Sequence, residues 1–256
     1  MAEGDTILRA ARRIEGALAG QRLAVSAPNP RGRAAGVERL DGRTLERLEA
    51  RGKHLLLHCG ELVLHSHLGM SGAWHVYAPG ARWHKPRGAA WAALRGERAE
   101  AVEFGGPTLR ILAAGALRRD PVLGRLGPDI LAADFDSARV VASLLRAPER
   151  TIGDALLDQH LVAGIGNIFK SEACFAARAD PWLAVGEIGR EGLDAVVQAA
   201  HDLMKAAVED GRAETAVYKR AGRPCPRCGT TIRSRGQGDA NRTTYWCPVC
   251  QPPTIG

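Results

Sequence analysis

No run of roughly eighteen apolar residues occurs in the 256-residue chain, so no membrane-crossing helix is expected and no membrane partner is assigned. A secretory signal is not expected either, because Arg9, Arg12 and Arg13 fall where its apolar core would have to lie. No internal repeat or low-complexity tract occurs. Cysteine is sparse outside the last thirty-two residues: of six, only Cys59 and Cys174 lie earlier. A disulfide framework is therefore not expected, and these two read as buried packing. A cytoplasmic protein fits these absences.

What is present is ordinary for a globular chain, with 45% hydrophobic and 25% charged residues, and its length allows more than one domain. The net charge of +7 is less neutral. It favours a polyanionic partner, most simply nucleic acid, although a basic solvated surface carries the same charge.

Residues 5–19 predict an amphipathic helix, with Ile7, Ala11, Ile14 and Leu18 on one apolar stripe. Asp5 is placed to cap its start and Gly20 to end it. A helix beginning this early could pin residues 2 and 3 to the body rather than leave a frayed tail. From about residue 21 to 117, short runs such as "HLLLHC", "ELVLHSHL" and "LRILA" between turn residues predict an antiparallel sandwich or barrel. Residues 118–133 read as a linker or crossover. Helical periodicity follows in "SARVVASLLRA", "TIGDALLDQH", "IGNIFKSEACFAA" and "EGLDAVVQAAHDLMKAAVED", and 211–224 read as a second linker. The expected fold is thus α+β and multidomain: residues 1–120 with a helix and β-sandwich, 121–220 helical, and 221–256 a small metal ribbon.

Cys225-x-x-Cys228 and Cys247-x-x-Cys250 have eighteen residues between the two knuckles. That spacing reads as one zinc ion held by four thiolates. Four thiolates leave no open coordination position, so the zinc is structural. The intervening "TTIRSRG" and "NRTTYW" alternate like a hairpin, and Arg242 near its returning strand reads either as a solvated arginine or as a phosphate contact. Gly164, Gly166 and Asn167 join two helices in "LLDQHLVAGIGNIFKSEACF". Glycines allow close backbone approach, and amides at a helix start favour an anion, with Asn167 as a donor and Lys170 one turn on. A helix–turn–helix that binds nothing has the same glycines.

Five stretches in order carry a resemblance: "AEGDT" at the start, "RGKHLLL", "HSHLGMSGAW", "LLDQHLVAGIGNIFKSE" and "NRTTYWCPVCQ". Over nearly its whole length the chain resembles the formamidopyrimidine-DNA glycosylase and endonuclease VIII family of base-excision repair. The resemblance implies a β-sandwich preceded by a helix, then a helix–two-turn–helix domain and a zinc ribbon, acting on damaged DNA as a monomer associated with the nucleoid. It also implies a bifunctional DNA glycosylase and AP lyase whose nucleophile is the amine of the residue after Met1. That amine attacks C1′, the base is lost as a Schiff base forms, and strand cleavage follows by β- and δ-elimination. An α-amine suits this work. With a pKa near 7.8, roughly a quarter is neutral at about pH 7.4, against about a tenth of a percent of an ordinary lysine.

Carried over residue by residue, Ala2 supplies the amine and Glu3 the acid that protonates the leaving sugar or base. Lys53 assists β-elimination and grips phosphate. Arg242 contacts phosphate and serves δ-elimination, and Asn167, with Gly164 and Gly166, binds phosphate. Met70 fills the gap left by the extruded nucleotide. His65 and His67 share a strand face and read as structural or as phosphate contacts. Two departures stand out. The family has proline where this chain has Ala2, so a primary imine replaces a cationic iminium and elimination should be slower. The "DPRRFG" wedge loop of the purine-specific branch is absent from 109–131, and "EGDT" and "TTYWCP" resemble the endonuclease VIII branch, which favours oxidised pyrimidines and abasic sites. A non-catalytic damaged-DNA binder disabled at Ala2, and a zinc-ribbon factor of another class, are the alternatives.

Overall fold

The computed structural model describes residues 2–252. The chain divides into two compact units, one ending at Gly124 and one beginning at Arg125. Met1, whose removal the Schiff-base chemistry requires, lies outside the described residues.

In the first unit, helix α1 (Gly4–Leu18) buries Ile7, Ala11, Ile14 and Leu18, the stripe expected from their spacing. Asp5 does not cap it. The cap position is Glu3, and Asp5 sits inside the first turn, buried and paired to Arg9 at 3.2 Å. Its negative charge still opposes the positive end of the helix dipole. Strand β1 (Ala24–Ser26) and a short helix α2 (Pro30–Ala34), capped by Asn29, precede the two sheets' remaining strands. These are β2 (Arg47–Arg51), β3 (His54–Cys59), β4 (Leu62–His67), β5 (Trp74–Tyr77), β6 (Ala92–Arg95), β7 (Glu100–Glu103) and β8 (Thr108–Ala113). They form two four-stranded antiparallel sheets, β2–β3–β4–β8 and β1–β6–β7–β5. The predicted sandwich is therefore the one found. Strand alternation sorts the faces. Leu55, Leu57, Cys59 and Leu64 pack with the α1 stripe and with Ala92, Leu94 and Ala101 in one core. Ala93, Val102, Tyr77 and Trp83 form a smaller cluster on the opposite face of their sheet.

Glu103 is fully buried on β7. Ser66 Oγ donates to its Oε1 at 2.7 Å and itself accepts from Trp74 Nε1, while Glu103 Oε2 has no partner. Burial, only partly opposed by the Ser66 bond, pushes the carboxyl up to about 8 from an ordinary 4.5. The folded protein therefore keeps a proton that the unfolded chain releases above its ordinary pKa. Stability is full below that pH and falls as pH rises toward the folded value. Glu103→Gln is expected to be close to the native protein near pH 5 and to gain on it by about 4 kcal/mol by pH 9, read by urea denaturation at both pH values.

In the second unit, α3 (Ser137–Leu144) starts at Asp136, whose carboxylate accepts from Ala138 N. The helix expected over 151–160 is a single turn, α4 (Ile152–Ala155). Asp158 and Gln159 end it because their side chains bond to nearby backbone instead of continuing the ladder. Helix α5 (Asn167–Ala176) and the long α6 (Val185–Asp210) follow, α6 being broken at Gly189, where the backbone leaves helical angles. Leu193, Val196, Val197, Ala200, Met204 and Ala207 of α6 are buried against α3 and α5 residues such as Val140, Leu144, Phe169 and Ala173. The ribbon hairpin β9 (Arg233–Gln237) and β10 (Arg242–Trp246) belongs to this same unit, packed through β10 onto α5.

Candidate functional site

The front of the chain is docked, not loose. Ala2 N donates to Gly69 O at 3.2 Å, and Glu3 is fully buried. Gly69 takes a φ of +58°, and a Cβ there would lie 2.7 Å from the Pro107 ring, so the position admits only glycine. The next residue, Met70, is 73% exposed, the largest exposure among the large apolar side chains described. An unpacked methionine is what a wedge requires and what a core methionine would not show. Ala2, Glu3 and Met70 are thus brought together by the loop after β4.

Lys53 lies in the tight turn from β2 to β3. The register sets His54 opposite His67 at the end of β4, so the Lys53 turn and the Gly69–Met70 loop occupy the same end of one sheet. Burial first, then the Lys53 charge, lowers His67. His54 and His65 are lowered further, to about 3 and about 4, mainly by burial. Burial thus disfavours the charged form of all three imidazoles.

The second unit carries the glycine turn. Gly164 has a φ of +104°, suited to glycine, and its N–H donates to Gln159 Oε1 at 3.0 Å. The Gln159 Nε2 donates in turn to Leu157 O and Ile165 O, so one side chain holds both limbs of the turn. Gln159 stood inside the quoted motif without a role, and its adjacency to the glycines was the available signal. Gly166 precedes the first residue of α5, Asn167, whose Nδ2 donates to Thr243 O at 2.8 Å while its buried Oδ1 has no partner.

Lys170 is not placed to serve an anion at the helix start. It is fully buried, and its Nζ donates to Thr244 Oγ1 at 2.6 Å. Thr244 donates onward to Gln237, which reaches Thr151 and Pro181 O. Helical spacing puts residue 170 on the face that receives β10, which is why it cannot offer its charge to a phosphate. Arg242 is exposed at the start of β10, opposite Gln237, and next to the two threonines gripped by Asn167 and Lys170. The turn and the hairpin, distant in sequence, are one assembly. Glu172 adds to it by accepting from the N–H groups of Ala216, Val217 and Tyr218, tying down the segment that leads into the ribbon.

The four ribbon cysteines have Sγ atoms all within 4.8 Å of one another. Cys225 and Cys250 Sγ are 3.9 Å apart, and Cys228 and Cys247 Sγ 3.5 Å. A tetrahedron of Zn–S bonds near 2.3 Å has edges of about 3.8 Å, so the set fits zinc.

A helix and two-sheet sandwich, a glycine-turn helical segment and a cysteine ribbon, in this order, define a three-part class of chain. Three family models match it. The Formamidopyrimidine-DNA glycosylase N-terminal domain covers residues 1–105, the Formamidopyrimidine-DNA glycosylase H2TH domain 126–219, and the zinc finger found in FPG and IleRS 222–253. The "Probable endonuclease 8 2" of Streptomyces coelicolor is 43% identical over 98% of this chain and 94% of that protein. The DNA-(apurinic or apyrimidinic site) lyase Nei2 of Mycolicibacterium smegmatis is 36% identical over 98% and 99%. Lactococcus lactis Fpg, solved in complex with DNA containing an abasic site, shares the fold with a TM-score of 0.83 at 23% identity over 98% of this chain and 100% of that one. The chain belongs to the formamidopyrimidine-DNA glycosylase/endonuclease VIII family. Among the described residues, no helix is long and apolar enough to cross a membrane.

Proposed function

We propose that the protein is a DNA glycosylase and AP lyase of base-excision repair, acting as a monomer in the cytoplasm and on the nucleoid. Its substrates are oxidised bases, pyrimidines favoured, and abasic sites. The observation that carries this reading is the seating of Ala2 against Gly69 beside the exposed Met70, with Glu3 buried at the same place. Once Met1 is removed, the Ala2 amine attacks C1′ and Glu3 supplies the proton to the leaving group. The imine withdraws electrons less than an iminium from proline would, so elimination is the slower part of the cycle. Lys53, at the same end of the sheet, assists β-elimination. Arg242 and Asn167, with the backbone at Gly164 and Gly166, hold phosphates, and Lys170 acts only by holding β10 in place. One zinc ion per chain, on Cys225, Cys228, Cys247 and Cys250, shapes the ribbon and leaves chemistry to the other residues. The working modules are 1–120, 121–220 and 221–256. The names of the curated relatives, endonuclease 8 and AP-site lyase, support the same activity.

Borohydride trapping on an abasic-site oligonucleotide tests the reading. A covalent adduct mapped to the Ala2 nitrogen, in protein whose intact mass lacks Met1, is the expected result. Tight binding without an adduct would reduce the protein to a reader of damage.

Met70→Ala supplies a second test. Loss of the wedge is expected to slow excision of a base-paired oxidised pyrimidine about tenfold, while cleavage of a single-stranded abasic oligonucleotide changes less than about twofold. Single-turnover rates on the two substrates check it.

A further inference from the structure

The outer face of the β2–β3–β4–β8 sheet carries a largely buried polar chain with no part in the chemistry above. Arg110 Nη2 donates to Asp120 Oδ2 at 2.8 Å, and Arg110 Nε donates to His65 Nδ1 at 3.0 Å. His65 Nε2 and His54 Nδ1 are 2.8 Å apart. Chemistry fixes the direction. Arginine can only donate, so His65 Nδ1 is bare and its proton sits on Nε2. His65 therefore donates to His54, whose Nδ1 is also bare and whose proton sits on Nε2. A charged imidazole at either position breaks the chain, because it has no acceptor nitrogen to offer. The low values of both histidines agree with this.

The two ends of the chain are informative. At one end Asp120 Oδ1 accepts from Val122 N and Leu123 N at 3.0 Å each, anchoring the segment that follows β8. At the other end His54 is the residue after Lys53, and its ring centroid lies 4.7 Å from that of His67. His67 is in turn the group on which the Lys53 charge acts. A continuous line of contacts thus runs from residues 120–123 to the Lys53 turn. Three of its members are buried, His65 at 1% exposed, His54 at 9% and Asp120 at 8%, while the Arg110 side chain between them is half-buried.

We propose that Asp120, Arg110, His65 and His54 form a one-way hydrogen-bond relay that positions Lys53. The relay rests on the assignment of Lys53 to elimination. None of its four members touches the reacting atoms; they are positioning residues. A displacement of about 1 Å in Lys53 would slow the step it assists by an order of magnitude or more, while leaving attack by the amine untouched.

Two variants and one spectrum test it. His65→Leu deletes both of its hydrogen bonds, whereas His65→Gln keeps an acceptor and a donor at the end of the side chain. On an abasic oligonucleotide under single-turnover conditions, His65→Leu is expected to cleave about tenfold more slowly and to trap at the native rate with borohydride. His65→Gln is expected to restore cleavage to within about twofold of native. Long-range 1H–15N spectra of the native protein at pH 7 are expected to show a bare Nδ1 on both His54 and His65. A proton on either Nδ1 overturns the relay. So does equal loss of trapping and cleavage in His65→Leu, which marks a merely structural role. Native cleavage by His65→Leu, beside a Lys53→Ala variant that loses it, overturns the relay alone. A silent Lys53→Ala overturns both the relay and the Lys53 assignment. Should His65→Leu not fold, the spectrum and His54→Leu, which removes only the last link and is expected to give the same split, decide the matter.

Discussion

One additional residue left in front of Ala2 is expected to lower the single-turnover rate of strand cleavage at an abasic site by at least about 1000-fold. The extension turns the nucleophilic nitrogen into an amide and moves the free amine by about 3.5 Å. The amide nitrogen has no lone pair to give, and the free amine is one residue removed from the nitrogen the mechanism uses. Ala2 is held to Gly69 by its own backbone nitrogen, so the seat itself survives the extension. Binding to an uncleavable abasic analogue should therefore stay within about threefold of native, which separates loss of chemistry from loss of recognition. The comparison variant is Ala2→Pro. Its iminium cannot shed a proton to become neutral, so elimination after Schiff-base formation is expected to be faster than in the native protein. Extended protein that cleaves at the native rate would sink the amine mechanism.

The second large effect concerns the metal. The apolar cluster of the ribbon consists of Phe175, Val217, Ile232 and three of the cysteines, Cys225, Cys247 and Cys250. With the cysteines unligated, that leaves too little apolar burial to hold a hairpin, since a two-stranded ribbon is marginal on its own. Structural zinc contributes on the order of 10 kcal/mol in small ribbons. Elemental analysis is expected to give about one zinc per chain. Chelation, or Cys247→Ser, is expected to release the β9–β10 hairpin and to weaken binding to abasic DNA by about 100-fold or more, as Arg242 loses its place. Most of the α3–α6 core is independent of the ribbon, so its far-UV signal should persist under the same treatment. Metal-free protein that keeps full affinity would show that the hairpin stands without zinc.

Some of this was legible in the residues and some was not, for identifiable reasons. The α1 stripe, the sandwich strands and the cysteine ribbon follow from period and spacing, which depend only on near neighbours in sequence. Asp5 was misplaced because capping and first-turn carboxylates look alike in sequence, and only the backbone tells which residue is the last non-helical one. The 151–160 helix was overdrawn because its apolar spacing is helical while Asp158 and Gln159 bond locally. The place of Lys170 is not legible from its position one turn into α5. Its burial depends on Thr244, seventy-four residues later, and no local pattern reports that pairing. The polar line through His54, His65, Arg110 and Asp120 was hidden for the same reason, since its members come from three strands and a loop.

The grip of α5 on β10 has a consequence for how the second unit meets a nucleic acid. Asn167 holds the Thr243 carbonyl and Lys170 the Thr244 hydroxyl, so the glycine turn and Arg242 behave as two prongs forged on one handle. Their spacing is set when the chain folds, and the entropy of aligning them is not incurred again at binding. If both hold phosphates as proposed, a phosphate captured by one prong would present the strand to the other at a high local concentration. Loosening the handle should cost affinity for long strands more than for short ones.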